Sequence, residues 1–338
     1  MNVVRASGQR AQRWAWVLLA VAGLGVAVGL HVGSDGWQAG FAWSTDAVAR
    51  QIVWDIRLPR SLGAWAGGAL LALAGAIAQG LFRNPLADPY LLGSASGASL
   101  GCVLALVLTG STGLFELAWL TRLGLTGAAF VGALLAVALT LLLARGAQHT
   151  VRLLLSGVIV GVMLGAVTSL LSLWRPQVLQ SMQAFLLGST AFVGWPSVAL
   201  MAGVLVGCLA LAWGSARVLD ALSLGPHTAR SLGLPLGPWR LVLVAVLALA
   251  TAAAVAQMGL VAFVGLAAPH ALRALVRTTH RWSLPLSALM GGAMLVWADL
   301  IGRGVLAPEE VPVGLLTALL GGGYLLWLMA RPAGGALR

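Results

Sequence analysis

Residues 57–89 read "RLPRSLGAWAGGALLALAGAIAQGLFRNPLADP". Between Arg60 and Arg83 lie 22 residues without a charge. As a helix they span about 33 Å at 1.5 Å per residue, enough to cross a hydrocarbon core of ~30 Å. Five of the 22 are glycine and seven are alanine. Such small residues let helices approach closely in lipid, so this stretch reads as a membrane span enclosed by other helices. Pro59 suits a first helical turn, where a missing N–H costs nothing. Pro85 and Pro89 then frame a turn, "FRNPLADP", whose backbone at membrane depth must line a cavity or be covered by protein.

The rest of the chain follows the same rule. Of 338 residues, 60% are hydrophobic and 9% charged, with a mean hydropathy of +0.96. Soluble domains carry roughly 25% charged residues. The fold class expected is therefore all-α, a polytopic integral membrane protein whose solvent is lipid. The net charge of +11 does not indicate nucleic acid, because the arginines stand thinly scattered between apolar runs. All twenty basic residues are arginine. Without lysine there is no P-loop to reach a nucleotide's phosphates, so ATP energy has to come from another chain. Cys102 and Cys208 sit in apolar runs and read as small hydrophobes. No two of the five histidines stand at i,i+4, and a metal site has no support in the sequence.

Runs free of Asp, Glu and Arg cover 14–34, 61–82, 89–115, 123–144, 153–174, 176–216, 241–272, 282–298 and 311–330. Most fit one span each. The run 176–216 divides into a short helix near 177–187, a turn at "GSTAFVGWP" and a span from about 197 to 217. The run 241–272 divides near Gly259 into 240–258 and a shorter helix, 262–277. The total is ten spans, which places both termini on one side. With that side cytoplasmic, fourteen arginines face inward against six outward: Arg50, Arg57, Arg60, Arg122, Arg175 and Arg303. This arrangement satisfies the positive-inside rule. Residues 14–32 read as a retained span, because they exceed a signal peptide's apolar core and lack a clean A-x-A site. Residues 1–338 then form a single transmembrane domain, with 219–240 as its longest cytoplasmic connection.

Three segments go beyond composition: 57–101, which continues the opening stretch as "YLLGSASGASLG"; 219–240, "LDALSLGPHTARSLGLPLGPWR"; and 259–322, "GLVAFVGLAAPHALRALVRTTHRWSLPLSALMGGAMLVWADLIGRGVLAPEEVPVGLLTALLGG". In this order they resemble the permease subunit of type II ABC importers, the FecCD-like family that takes up vitamin B12, ferric siderophores and haem. The resemblance implies ten helices per subunit in the bacterial inner membrane and a second copy of the chain. It also implies two ATPase subunits, which carry ATP and Mg, and a periplasmic binding protein. It implies no cofactor on this chain and no enzymatic step of its own. The chain departs from the family pattern at Pro226, where an acid is usual, and at "GGGYLLW", where Gly323 and Tyr324 replace a Gly-x-Pro-x-Phe-like turn.

Carried onto this sequence, the family's binding-protein contacts fall on Arg57, Arg60 and Arg303. Arginine suits the role because its planar fork matches a carboxylate; the plain reading of the same residues is interfacial snorkelling. Asp299, four residues before Arg303, is an alternative partner for it. The family's cytoplasmic gate falls on Asn84 and Leu86, with His149 and Thr150 ahead of the fifth span; Asn84 would otherwise simply cap a turn. The ATPase-coupling helices fall on Leu222, Leu224, Gly225, Ala229, Arg230, Leu232 and Gly233. Three leucines in a solvated loop call for a partner surface. His270 reads as a packing residue more readily than as a haem ligand. The expected function is an importer permease for an iron chelate, haem or ferric siderophore, with cobalamin as the alternative cargo. An ion-coupled secondary transporter is the remote rival, since it needs intramembrane charges as relays.

Overall fold

The computed structural model describes residues 2–33, 36–37, 46–109, 118–147 and 149–330. Helix α1 (Asn2–Gly29) leads into a two-residue antiparallel pairing, Val32–Gly33 against Gly36–Trp37. Helix α2 (Ala47–Ile52) is capped by Asp46, whose carboxylate accepts from Val48 N at 2.9 Å. It runs through a π-helical turn, Val53–Arg57, straight into α3 (Leu58–Phe82). The second span therefore begins at Ala47, not at the proline, and forms one apolar helix of 36 residues. The wide turn supplies the reason: Leu58 N bonds to Val53 O just ahead of Pro59, which has no N–H to continue an i→i+4 ladder.

Helix α3 is the centre of the molecule. Twenty of its 25 residues are buried, and its most extensive packing is against α13 (His280–Gly304), followed by α11 (Leu236–Met258) and α12 (Val264–Leu275). Glycines set the approach. A Cβ at Gly68 would collide with the Gly291 carbonyl, and one at Gly75 with the Gly265 carbonyl. The backbones touch there with no side chain between them.

Around this centre stand α4 (Ser94–Thr109), α5 (Ala118–Leu143), α6 (Thr150–Trp174) and α8 (Trp195–Gly214). The long run 176–216 divides as read, into α7 (Pro176–Leu187), a turn and α8. Near Gly259 (φ +71°) the second long run breaks, and Phe263 (φ +67°) opens α12. Backbone freed at these breaks is satisfied inside the protein: Leu260 N bonds to Phe185 O at 2.9 Å, Ser189 N to Met258 O at 2.7 Å, and Gly314 N to Gly188 O at 3.2 Å. Irregular chain survives at membrane depth because protein, not lipid, surrounds it. The last helix is α14 (Val313–Ala330). Among the described residues seven helices are long and apolar enough to cross a membrane, and 94–108, 178–187 and 313–327 are shorter apolar helices. Burial divides them sharply: 89% of the α2–α3 window is enclosed, against 22% for α6 and α8.

Candidate functional site

Where the start of α3 meets the end of α13, the charges expected on the outer rim are drawn inward. Arg57 Nη1 donates to Leu30 O at 2.9 Å, tying α3 to the end of α1. Arg60 bridges two acids: Nη2 meets Asp299 at 3.1 Å and Nη1 meets Glu310 at 2.8 Å. Arg303 pairs with the other oxygen of Asp299, and Thr190 Oγ1 donates to that same carboxylate. The Arg303 side chain is 1% exposed and Asp299 2%. The Arg303 guanidinium is therefore enclosed within this chain rather than standing free at the rim as the sequence reading placed it. A buried arginine needs its counter-charge within hydrogen-bond reach, and Asp299 one turn earlier provides it. Glu310 and Thr190, which complete the cluster, went unread because loops far apart in sequence deliver them.

At the other end of α3, Arg83 closes the helix in a left-handed turn (φ +52°). Asn84 Oδ1 accepts from Leu86 N at 3.0 Å, so the turn-capping reading of Asn84 holds, and Leu86 is left 50% exposed. Asp88 caps the short 3-10 turn Pro89–Leu92 by accepting from Tyr90 N at 2.8 Å. Burial pushes the Asp88 carboxyl up to about 6, against the pull of that N–H. The Tyr90 hydroxyl donates to Val261 O at 3.0 Å, fixing this turn to the break before α12. His149 and Thr150 form the start of α6, with no side-chain cap bond from His149. Gly157 of α6 packs directly on the Leu91 carbonyl, and beside this contact lies an open hollow of about 390 Å³ lined by Asp88, Tyr90, Gly157, Val158, Gly161 and Val162.

The connection 219–240 is built as two short helices with glycine corners. Helix α9 (Ala216–Ser223) ends at Leu224, Gly225 (φ +106°) turns the chain, α10 (Pro226–Ser231) follows, and Gly233 (φ +76°) turns it back into α11. Pro226 begins α10, where a proline is tolerated. Leu224 and Leu232 are 66% and 62% exposed, while Ala229 is buried and Arg230 exposed. Leu222 is 1% exposed and packs in the core with Leu219, so it is not part of the outward surface. Residues two apart on a helix do not share a face, and Leu222 and Leu224 divide accordingly.

Two further pairs at this end escaped the sequence reading. His280 Nδ1 lies 2.6 Å from Asp220 Oδ1, and Arg281 lies 4.6 Å over the Trp213 ring. Burial raises the Asp220 carboxyl, but the bonds from His280 outweigh it and hold Asp220 below its ordinary value. His270 packs edge-on to Tyr324 with ring centres 6.0 Å apart. Among the described residues no group of three or more His, Cys, Asp or Glu could hold a metal ion. Both cysteines are free and buried.

Comparison with known proteins adds the following. The FecCD transport family model matches residues 14–331. The hemin transport system permease protein HmuU of Yersinia pestis is 37% identical over 319 residues, covering 93% of each chain. The vitamin B12 import system permease protein BtuC of Escherichia coli O17:K52:H18 is 37% identical over 332 residues, covering 98% of this chain and 99% of its own. A solved structure described as an inward-facing metal-chelate type ABC transporter superposes with a TM-score of 0.82 at 29% identity, over 93% of this chain and 97% of the other. PsaBC of Streptococcus pneumoniae, at 19% identity and a TM-score of 0.56 over 78% of this chain, shares the fold.

Proposed function

Because this chain belongs to the FecCD transport family, a family of inner-membrane permeases, we propose that it is the membrane subunit of an ATP-binding-cassette importer for a metal chelate or metal macrocycle. Haem, ferric siderophore and cobalamin are the cargo candidates; relatives named for hemin and for vitamin B12 stand at equal identity. The subunit crosses the membrane ten times with both termini cytoplasmic. It pairs with a second copy of itself, engages two ATPase subunits below and receives cargo from a binding protein above.

The observation that carries this reading is the hairpin 219–240. A chain without lysine cannot build a P-loop, yet it holds two leucines outward on a short helical element turned at both ends by positive-φ glycines. Apolar side chains fixed in that way call for a protein surface. The ATPase groove is that surface: its closure pushes the hairpin, and the pathway along the subunit interface switches from outward to inward access. Asn84 and Leu86 on the loop after α3, with His149 and Thr150 at the start of α6, close the cytoplasmic end. Arg57 contributes to binding-protein docking at the outer rim, together with the exposed part of the Arg60–Glu310 pair. ATP hydrolysis belongs to the partner subunits, and the cargo passes without covalent change.

Copurification with the ATPase tests the assignment. The pair should form a stable complex whose ATP turnover drives uptake into proteoliposomes supplied with the loaded binding protein. Uptake by the permease alone, driven by an ion gradient, would instead identify a secondary transporter. Cysteines at positions 86 or 150, on a background without Cys102 and Cys208, should cross-link between subunits in one nucleotide state only. Cross-linking in every state would make those positions static packing. Ligand binding by the cognate binding protein identifies the cargo.

A further inference from the structure

Trp213, Asp220, His280 and Arg281 have no place in the gate, the docking rim or the ATPase surface, yet they join the elements that carry them. Asp220 sits on α9, the helix that leads into the coupling hairpin. One of its oxygens accepts the backbone N–H of His280 at 3.0 Å and stands 2.6 Å from the His280 ring nitrogen Nδ1. His280 is the first residue of α13, where a carboxylate also meets the positive end of the helix dipole. The next residue repeats the attachment to α8. The Arg281 guanidinium lies 4.6 Å over the Trp213 ring, and Trp213 Nε1 donates to the Arg281 carbonyl at 3.1 Å. Two consecutive residues of α13 are thus each held to the α8–α9 corner by backbone and by side chain together.

A third element meets the same joint. Gly80 lies in the last turn of α3, four residues before Asn84, and a Cβ built there would stand 3.0 Å from His280 Nε2 and 3.1 Å from Leu219 Cδ2. The His280 imidazole is therefore seated between α9 and the end of α3. From that point α3 leads to the loop of Asn84 and Leu86, and α13 leads to Asp299 and Arg303 at the outer face. A helix cap alone accounts for the bond to the backbone N–H. It leaves the bond to the imidazole, the paired attachment of Trp213 and Arg281, and the bare glycine beneath the ring without a purpose.

We propose that Asp220 and His280, braced by Trp213 and Arg281, are positioning residues that pass displacement of the coupling hairpin to α3 and α13. They form the joint through which ATPase movement reaches the cytoplasmic loop. This rests on the reading of 219–240 as the ATPase contact. Coupling of this kind needs packed rigid elements with a defined contact between them, because a slack loop absorbs the motion. Here both bonds of Asp220 converge on one residue of α13, and α9 cannot shift without dragging the first turn of that helix.

The test uses the assembled permease–ATPase complex in proteoliposomes with loaded binding protein, and reads cargo moved per ATP hydrolysed. In Asp220→Ala and in His280→Ala the ATPase subunits should still copurify and ATP turnover should persist. Cargo per ATP should fall by about fivefold or more, the lower end of ordinary coupling between sites. The double variant should be no worse than either single one, as for two members of one joint. Gly80→Ala, which crowds the imidazole by only tenths of an ångström, should lower the same ratio more mildly. Asp220→Asn, which keeps an acceptor for the His280 N–H, serves where the alanine variant does not insert, with the same expectation. An unchanged ratio in the assembled complex, or a loss of assembly and ATP turnover in parallel with uptake, overturns the proposal. Leu224→Asp with Leu232→Asp separates the two readings. If that variant assembles and transports normally, the coupling assignment itself is wrong. If it fails while Asp220→Ala keeps a normal ratio, only the joint is wrong.

Discussion

At its C-terminal end α13 carries Asp299 and Arg303 inside the protein, 2% and 1% exposed. In the 219–240 hairpin, Leu224 and Leu232 are held outside it, 66% and 62% exposed. Each region inverts the usual placement, charge in one case and apolar surface in the other. The compensation differs. Asp299 is answered within the chain by Arg60, Arg303 and Thr190, so the cluster balances its charges within a single chain. Among the described residues nothing covers the two leucines, and the proposed function gives them an ATPase surface to meet. One region thus balances its own burial, and the other leaves apolar surface uncovered.

The largest effect should come from removing the uncovered surface. Leu224→Asp with Leu232→Asp should abolish ATP-driven uptake while membrane insertion and pairing of the permease remain, measured by uptake alongside cross-linking of the two copies. Retention of uptake would place both ends in the self-sufficient class and erase the contrast.

Next in size is the outer cluster. Asp299→Ala strands Arg60 and Arg303 with one fewer counter-charge, and breaking a buried pair costs about 3–5 kcal/mol. Thermal unfolding in detergent should show a large loss of stability. Replacing Asp299 and Arg303 together by apolar residues of similar size should recover most of it, since Arg60 keeps Glu310. Equal damage from the single and the paired replacement would mean that the cluster does more than balance its own charges.

Asp88 sharpens the comparison from within the cytoplasmic end. It is a carboxylate raised by burial from 3.8 to about 6, with no ion-pair partner among the described residues. A folded-state value above the unfolded one means that the folded protein binds this proton more tightly. Its stabilising contribution is fully present below about pH 4 and is lost as the pH rises to about 6. Asp88→Asn, which retains an acceptor for Tyr90 N, should flatten stability across that window and leave the protein more stable than wild type above it. Melting temperatures at pH 4 to 7.5 check this. Parallel curves for the two proteins would show that Asp88 is solvated.

The smallest effect belongs to the rim. Arg57→Glu should weaken binding-protein association modestly, by about 0–1 kcal/mol for an exposed pair, and chiefly at low salt. Arg60→Glu is a different experiment, because it sets a third acid beside Asp299 and Glu310 and breaks the inner cluster. Association unaffected by Arg57→Glu at low salt would leave that arginine as a tie to α1 alone.

What the sequence revealed follows its local signals. Uncharged runs located the helices, and proline with glycine located the breaks within 176–216 and at Gly259, because both are properties of contiguous residues. The early start of the second span at Ala47 stayed hidden, since Asp55 and Arg57 interrupt the apolar run while the helix continues through a π-helical turn. Asp299 and Arg303 stand at i,i+4 and were readable as a pair. Arg60 and Glu310 reach them from 239 and 11 residues away from Asp299, and Asp220 meets His280 across 60 residues. No spacing encodes such meetings; packing alone brings them about. The leucines of 219–240 were read as one surface, but helical periodicity over 216–223 turns Leu222 inward.

The enclosure of α3 has a consequence for biogenesis. Its main partner, α13, begins about 200 residues later in the chain. At a synthesis rate of about 5–20 residues per second, the finished α3 waits on the order of 10–40 s before that neighbour leaves the ribosome. Until then the Gly68 surface that meets Gly291 lacks its partner, although α11 and α12 have already been made. The centre of this protein is therefore among the first parts made and the last to be assembled, and a nascent chain halted before His280 carries an unmade core into the membrane.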